Sequence, residues 1–138
     1  MNHARKRILI SDCDVEALIA LERVLEDDGF DTTTVCTFDE MLRLLGQQNF
    51  DLLLVADHPP ELNCERLLRN SQSRGTPVVA LENRPRHPFV EPYLLALGAR
   101  KIVHKWKHRE VQDAVNELLV RHTGEIAKSA VAGTAKLG

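Results

Sequence analysis

Five short apolar runs alternate with five stretches of helical periodicity along the chain, and this alternation limits the fold more than any other feature of the sequence. "RILIS" (7–11), "DTTTVC" (31–36), "DLLLVA" (51–56), "VVAL" (78–81) and "KIVH" (101–104) carry the β-branched and aliphatic density of strands. Between the first two, Val15, Leu18, Leu21 (or Ile19) and Leu25 fall at helical spacing over 15–28, with Gly29 placed to close that helix. "TFDE" (37–40) has the form of a capping box opening a helix to about Leu45. Helices are also expected over 63–72, over 89–98 with Pro92 in the first turn, and over 109–122 with Val111, Val115, Leu118 and Leu119 inward. The third strand is apolar at every position, as a strand covered on both faces must be. Strand–helix alternation of this kind requires parallel strands joined by right-handed crossovers, so the expectation is one doubly wound α/β domain with a five-stranded parallel sheet.

The periodic pattern fills residues 1–122 as a single domain. The remaining 123–138, rich in small residues, are expected to form a flexible or helical tail. Hydrophobic residues are 43% of the 138 and charged residues 28%, an ordinary globular composition. The longest apolar runs are far too short to span a bilayer, and Ile8–Ile10 is too brief for a signal-peptide core, so a cytoplasmic protein without membrane contact is expected. A net charge of −2 gives no reason to expect direct nucleic-acid binding. The charge is nevertheless uneven. From Asp12 to Glu40 nearly every charge is acidic, whereas Arg100, Lys101, Lys105, Lys107 and Arg109 form a wholly basic run. Cys13, Cys36 and Cys64 contain no CxxC spacing, which argues against a zinc site or a disulfide framework and for reduced, partly buried thiols.

Sheets of this class bind ligands beyond the carboxyl ends of their strands. The residues there are Asp12, Cys13 and Asp14 after the first strand, Ala56 and Asp57 at the third, Glu82 and Asn83 at the fourth, and His104 and Lys105 at the fifth. Converging carboxylates with one lysine are the chemistry of a divalent cation and a phosphoryl group. Structural duties compete for the same residues. Asp14 is placed to cap the first helix, and Asp57 to cap a loop or accept from backbone amides. His58, His104 and His108 lack a metal-ligand spacing.

With those residues assembled, the chain resembles a response-regulator receiver domain of bacterial two-component signalling over roughly residues 5 to 122, which implies a flavodoxin-like fold. "RILISDCDVEAL" is similar to the family's first strand and acidic pair. "FDLLLVADHPPELNCERLL" is similar to the third strand, phosphoacceptor and following turn. "TPVVALENR" resembles the fourth strand, and "ALGARKIVHKW" the segment that ends in the lysine.

The resemblance also marks where the chain departs from the family. Cys13 stands where the second acidic residue belongs. Counting from Asp51 or back from Pro60 puts Ala56 at the acceptor position and Asp57 one residue late, pointing elsewhere because strand side chains alternate. Glu82 replaces the switch hydroxyl, Ile102 the switch aromatic, and Trp106 the proline after the lysine. Asp12 and Asp57 remain as weak metal candidates, and a single carboxylate makes a poor Mg²⁺ site, so no cofactor is expected. Lys105 is free to pair instead with Asp12, Asp57 or Glu82.

The resemblance therefore implies a phosphorylation-independent, non-enzymatic interaction module whose partner is another signalling protein or a second copy. The implied partner face includes Arg86, Arg100, Lys101, Lys107, Arg109 and the exposed part of Glu110. The stretch after Arg121 is too short for a helix-turn-helix, so the expected output is a contact with another protein, the alternative being that the chain is a fragment of a larger one. Two other readings are carried. One is a live receiver in which a bulge lets Asp57 accept the phosphoryl group. The other is a small haloacid-dehalogenase-type phosphohydrolase, in which "ILISDCDV" supplies Asp12 as nucleophile and Asp14 as acid/base.

Overall fold

The computed structural model describes residues 5–57, 63–70, 75–83 and 88–121. Strands β1 (Arg7–Ser11), β2 (Asp31–Val35), β3 (Leu52–Ala56), β4 (Val78–Glu82) and β5 (Lys101–His104) alternate with helices α1 (Val15–Asp27), α2 (Phe38–Gln47), α3 (Cys64–Leu68), α4 (Val90–Leu97) and α5 (His108–Asn116). A π-helical turn, Glu117–Arg121, continues α5. All strand pairings are parallel, in the order β2-β1-β3-β4-β5. This is the five-stranded, doubly wound, flavodoxin-like sheet expected from the alternation.

The central strands are buried on both sides: Ile8, Leu9 and Ile10 of β1 and all five residues of β3 lie in the core. Leu18, Leu21 and Leu25 of α1 and Val111, Val115, Leu118 and Leu119 of the last helix pack into the same core. Val15 and Ile19 do not. Both are exposed, and Ala17 is buried on the same helix instead. The inward stripe of α1 is formed by Ala17, Leu18, Leu21 and Leu25.

Local rules set the helix ends. Asp14 caps α1, accepting from the amides of Glu16 and Ala17. At its other end Gly29, with φ +98°, donates to the Glu26 carbonyl, and the following Phe30 amide reaches back to Leu25. That pair of bonds is a Schellman closure, and the positive φ explains glycine there. Gly98, with φ +122°, ends α4 in the same way, through Gly98 N to Leu95 O and Ala99 N to Leu94 O. Thr37 Oγ1 accepts from the Glu40 amide as a capping box requires, but Glu40 Oε1 returns to the Cys36 amide, not to Thr37. Pro92 lies in the first turn of α4. Helix α2 runs two residues past Leu45, to Gln47.

Helix α3 stops at Leu68, with Arg69 as its cap, so the helix expected over 63–72 is shorter at both ends. Asn63, the expected first residue, is the N-cap. Residues 71 and 72, His58, Arg86 and the tail 123–138 lie outside the described residues.

Candidate functional site

The carboxyl ends of β1 and β5 bring together two groups 93 residues apart in sequence. Asp12, the residue after β1, and Lys105, the residue after β5, form a buried ion pair, with side chains 1% and 8% exposed. Lys105 Nζ lies 3.1 Å from Asp12 Oδ2 and 3.3 Å from Oδ1. Asp12 Oδ1 also accepts from the Asp14 amide at 2.9 Å, which bends the chain out of the strand toward the cap of α1. Lys105 Nζ stands 3.6 Å from Asp14 Oδ2 as well. Of the three partners that the sequence leaves open to Lys105, the fold selects Asp12. It adds Asp14, which the sequence presents only as a cap. The signal for it was present: an Asx turn across Asp12-Cys13-Asp14 brings both carboxylates to one side.

Backbone geometry fixes the lysine. The Lys105 amide donates to the Glu82 carbonyl at 2.7 Å, so β5 is held to β4 one residue beyond the last strand pairing, Glu82 with His104. The Asp12 amide donates to Val35 O at 3.1 Å, which extends the β1–β2 ladder in the same manner. The ends of the pair are thus held by sheet hydrogen bonds on both sides, and the flexible lysine stem bridges between them.

At the end of β3, Ala56 is buried and pairs in register with Leu81. The β3–β4 register runs without an inserted residue from Leu53–Val78 to Ala56–Leu81, and Asp57 N donates to Leu81 O at 3.2 Å. An unbroken ladder turns the side chain of Asp57 to the opposite side from that of Ala56. Asp57 Oδ1 accepts from the Cys64 amide at 3.1 Å, while Asn63 Oδ1 accepts from Arg66 N. Two side chains therefore hold amides at the start of α3, the loop-capping duty open to Asp57 in the sequence. Glu82 ends β4, in register with His104. Cys13 is exposed, as is Cys36, while Cys64 is buried, so two of the three thiols are not in the core.

Magnesium does not suit this donor set. Both Asp12 oxygens accept hydrogen bonds within the protein, and the thiol of Cys13 and the methyl of Ala56 offer no hard oxygen ligand. Among the described residues no group of three or more His, Cys, Asp or Glu side chains could hold a metal ion.

The basic run differs from its sequence appearance. Lys101 Nζ is 2.8 Å from Glu117 Oε2, Lys107 Nζ is 3.7 Å from Glu110 Oε2, and Arg109 Nε is 3.5 Å from Asp113 Oδ1. Acids of α5 and its π-turn thus answer three of the cations expected to form a positive face. The 107/110 and 109/113 pairs are ordinary helix spacings that the sequence already displays. Exposed apolar side chains occur nearby in sequence: Phe89 (74% exposed), Tyr93 and Leu95 around α4, and Trp106 after Lys105. The Tyr93 hydroxyl donates to Glu65 Oε2 at 3.0 Å and accepts from Arg69 Nη2 at 3.1 Å, joining α4 to α3. No helix among the described residues is long and apolar enough to cross a membrane.

The sequence matches no family model and no curated protein. Solved structures do match. The chain is similar to a CheY-like response regulator receiver domain protein from Methanospirillum hungatei JF-1, with 24% identity, coverage of 88% of this chain and 99% of that one, and a TM-score of 0.76. It is similar to the receiver domain of Francisella response regulator 1452, with 23% identity, 86% and 99% coverage, and a TM-score of 0.74. It is also similar to a response regulator protein from Burkholderia pseudomallei that carries a phosphorylated aspartic acid and a calcium ion, with 18% identity, 92% and 74% coverage, and a TM-score of 0.70. The sheet order, the crossovers and these likenesses together give the chain the fold of the response-regulator receiver domains.

Proposed function

We propose that this chain is a receiver-like interaction module of a bacterial two-component or phosphorelay system that works without being phosphorylated and catalyses no reaction itself. Its partner is another signalling protein or a second copy of the chain, met in the cytoplasm and without direct nucleic-acid contact. One observation carries the reading: the Asp12–Lys105 ion pair is buried and closed beside a β3 that ends in Ala56. A methyl group cannot accept a phosphoryl group, and the Lys105 ammonium is already held by Asp12, with Asp14 Oδ2 3.6 Å away. A ligand shifts a conformational equilibrium only by binding its two states differently. Without that ligand the module holds one conformation and presents one surface.

Two further observations support this reading over its rivals. The uninterrupted β3–β4 ladder and the bond from Cys64 N to Asp57 Oδ1 speak against a bulge that would turn Asp57 into the acceptor. For a phosphohydrolase, Asp14 would have to serve as acid/base, yet its Oδ1 is committed to the first turn of α1.

Incubation with acetyl phosphate and Mg²⁺, followed by intact-mass measurement, tests the proposal. No phosphoryl adduct is expected, and Trp106 fluorescence is expected to show no saturable change through millimolar Mg²⁺. An adduct that Asp57→Asn abolishes would replace this reading with that of a live receiver.

A further inference from the structure

His104, the last residue of β5, holds the turn that follows it in two ways. Its carbonyl accepts from the Lys107 amide at 3.0 Å, which closes a β-turn around Lys105 and Trp106. Its ring accepts as well: the Trp106 amide donates to Nδ1 at 3.1 Å. An imidazole nitrogen accepts only through a free lone pair, so this bond requires a neutral His104 with its proton on Nε2. The two central residues of the turn face different surroundings. Lys105 reaches inward to Asp12, while Trp106 lies at the surface with its ring centroid 6.3 Å from that of His108.

The neighbouring strand offers the ring a second place. Glu82 is the register partner of His104 on β4, so the two side chains leave one face of the sheet from Cα atoms roughly 5 Å apart. At this end of the other elements packed against β5, the titratable and charged side chains described are Glu91 in the first turn of α4 and Lys107, His108, Arg109 and Glu110 at the start of α5. Lys107 is paired with Glu110, and Arg109 with Asp113 one turn on.

From this geometry we infer that His104 is a pH-sensitive latch on the Lys105–Trp106 turn. Imidazole changes charge between roughly pH 5 and pH 8, and at the upper end of that range the neutral ring accepts from the Trp106 amide and the turn is closed. As the pH falls, Nδ1 takes up a proton and loses its lone pair, so that one N–H faces another. The ring then turns toward the Glu82 carboxylate, the Trp106 amide passes to solvent, and the indole leaves its place beside His108. The acceptor role fixes the sign: the closed turn is the high-pH state and the open turn the low-pH state. A proton is thus a ligand that binds the two states differently. It acts on the surface beside Lys105 whether or not any aspartate accepts a phosphoryl group.

Trp106 is the one tryptophan of the chain, so its fluorescence reads the turn directly. Titration of the full chain from about pH 8 to about pH 5 should give one reversible change in emission while the far-ultraviolet circular dichroism stays constant. Long-range proton–nitrogen NMR at the high-pH end should show the His104 ring as the Nε2–H tautomer. His104→Asn keeps an oxygen that accepts from the amide two residues on but does not titrate, so the transition should be lost and the emission should stay at its high-pH value. His104→Ala should hold the low-pH emission throughout. His108→Gln removes the other imidazole near the indole and should keep the transition. A flat emission in the wild type, an Nδ1–H tautomer at high pH, or a transition that survives His104→Asn and disappears in His108→Gln would each overturn the inference, the last by assigning the change to direct quenching by His108.

Discussion

The ion pair at the carboxyl end of the sheet and those along α5 use the same chemistry in opposite settings. Asp12 and Lys105 meet in the core, nearly without solvent, and both are held by neighbouring backbone bonds. Lys101–Glu117, Lys107–Glu110 and Arg109–Asp113 lie in solvent at similar distances. Distance therefore says little about energy. In water a charge loses little when its partner is removed, because solvent takes the partner's place. In the core the remaining charge has nowhere to go. The buried pair is thus costly to break but contributes little over an apolar replacement, whereas the exposed pairs contribute little in either sense. What the α5 acids do change is the surface field. They turn a sequence of bare cations into a mixed face, so salt-driven attraction of an acidic partner has less basis than the basic run suggests.

The largest expected effect comes from breaking the buried pair on one side. Lys105→Ala should cost about 3–5 kcal/mol, read from urea unfolding midpoints. A loss near that of an exposed pair would mean that water reaches Asp12 and that the contrast drawn here fails. Next in size, Asp57→Ala removes an acceptor from the Cys64 amide at the start of α3 and should cost about 1 kcal/mol. The double replacement Asp12→Asn, Lys105→Met sharpens the comparison, because the asparagine Oδ1 still accepts from the Asp14 amide. Removing both charges together should leave stability within about 1 kcal/mol of the wild type, far above the Lys105→Ala variant. Should the double variant be as unstable as the single one, the polar pair is needed for packing and not only for neutrality. The smallest effect belongs to the surface. Lys101→Ala and Arg109→Ala should each change stability by less than about 1 kcal/mol, and that small difference should shrink further in 1 M salt.

Much of this structure can be read from local rules. Asp14 as a cap, Gly29 as a closure, Pro92 in a first turn and the all-apolar β3 follow from single-residue physics, and five strand–helix alternations then leave few topologies. What the sequence did not carry depends on distance in three dimensions. Whether Lys105 turns to Asp12, Asp57 or Glu82 is decided by how far a strand end projects and which amides are nearby. The choice of Asp12 with Asp14 follows from an Asx turn two residues long. Val15 illustrates another limit: helical spacing alone does not say that the buried stripe of α1 begins at Ala17 and leaves Val15 in solvent. The pairings along α5 were different. Lys107 with Glu110 and Arg109 with Asp113 stand at helix spacing in plain view, and counting only the basic residues hid them.

The order β2-β1-β3-β4-β5 also governs what happens while the chain is being made. Strand β1 is hydrogen-bonded on both edges, to β2 on one side and β3 on the other. Its first neighbour follows within some twenty residues, but the second lies beyond the whole of α2. At a synthesis rate of about 5–20 residues per second, the β3-facing edge of "RILIS" stays unpaired for a few seconds after β2 has emerged. Ile8, Leu9 and Ile10, solvent-free in the finished sheet, are then the open rim of a two-stranded ribbon, the geometry most prone to recruit a neighbouring nascent chain. The bond from the Arg7 amide to Asp51 Oδ2, 2.8 Å across 44 residues, forms only when that interval ends. The arrival of "DLLLVA" therefore closes the exposed edge of β1 and hands the open edge on to β3, which stays unpaired until β4 follows, and substitutions that slow its docking should reduce soluble yield more than they reduce the equilibrium stability of the completed fold.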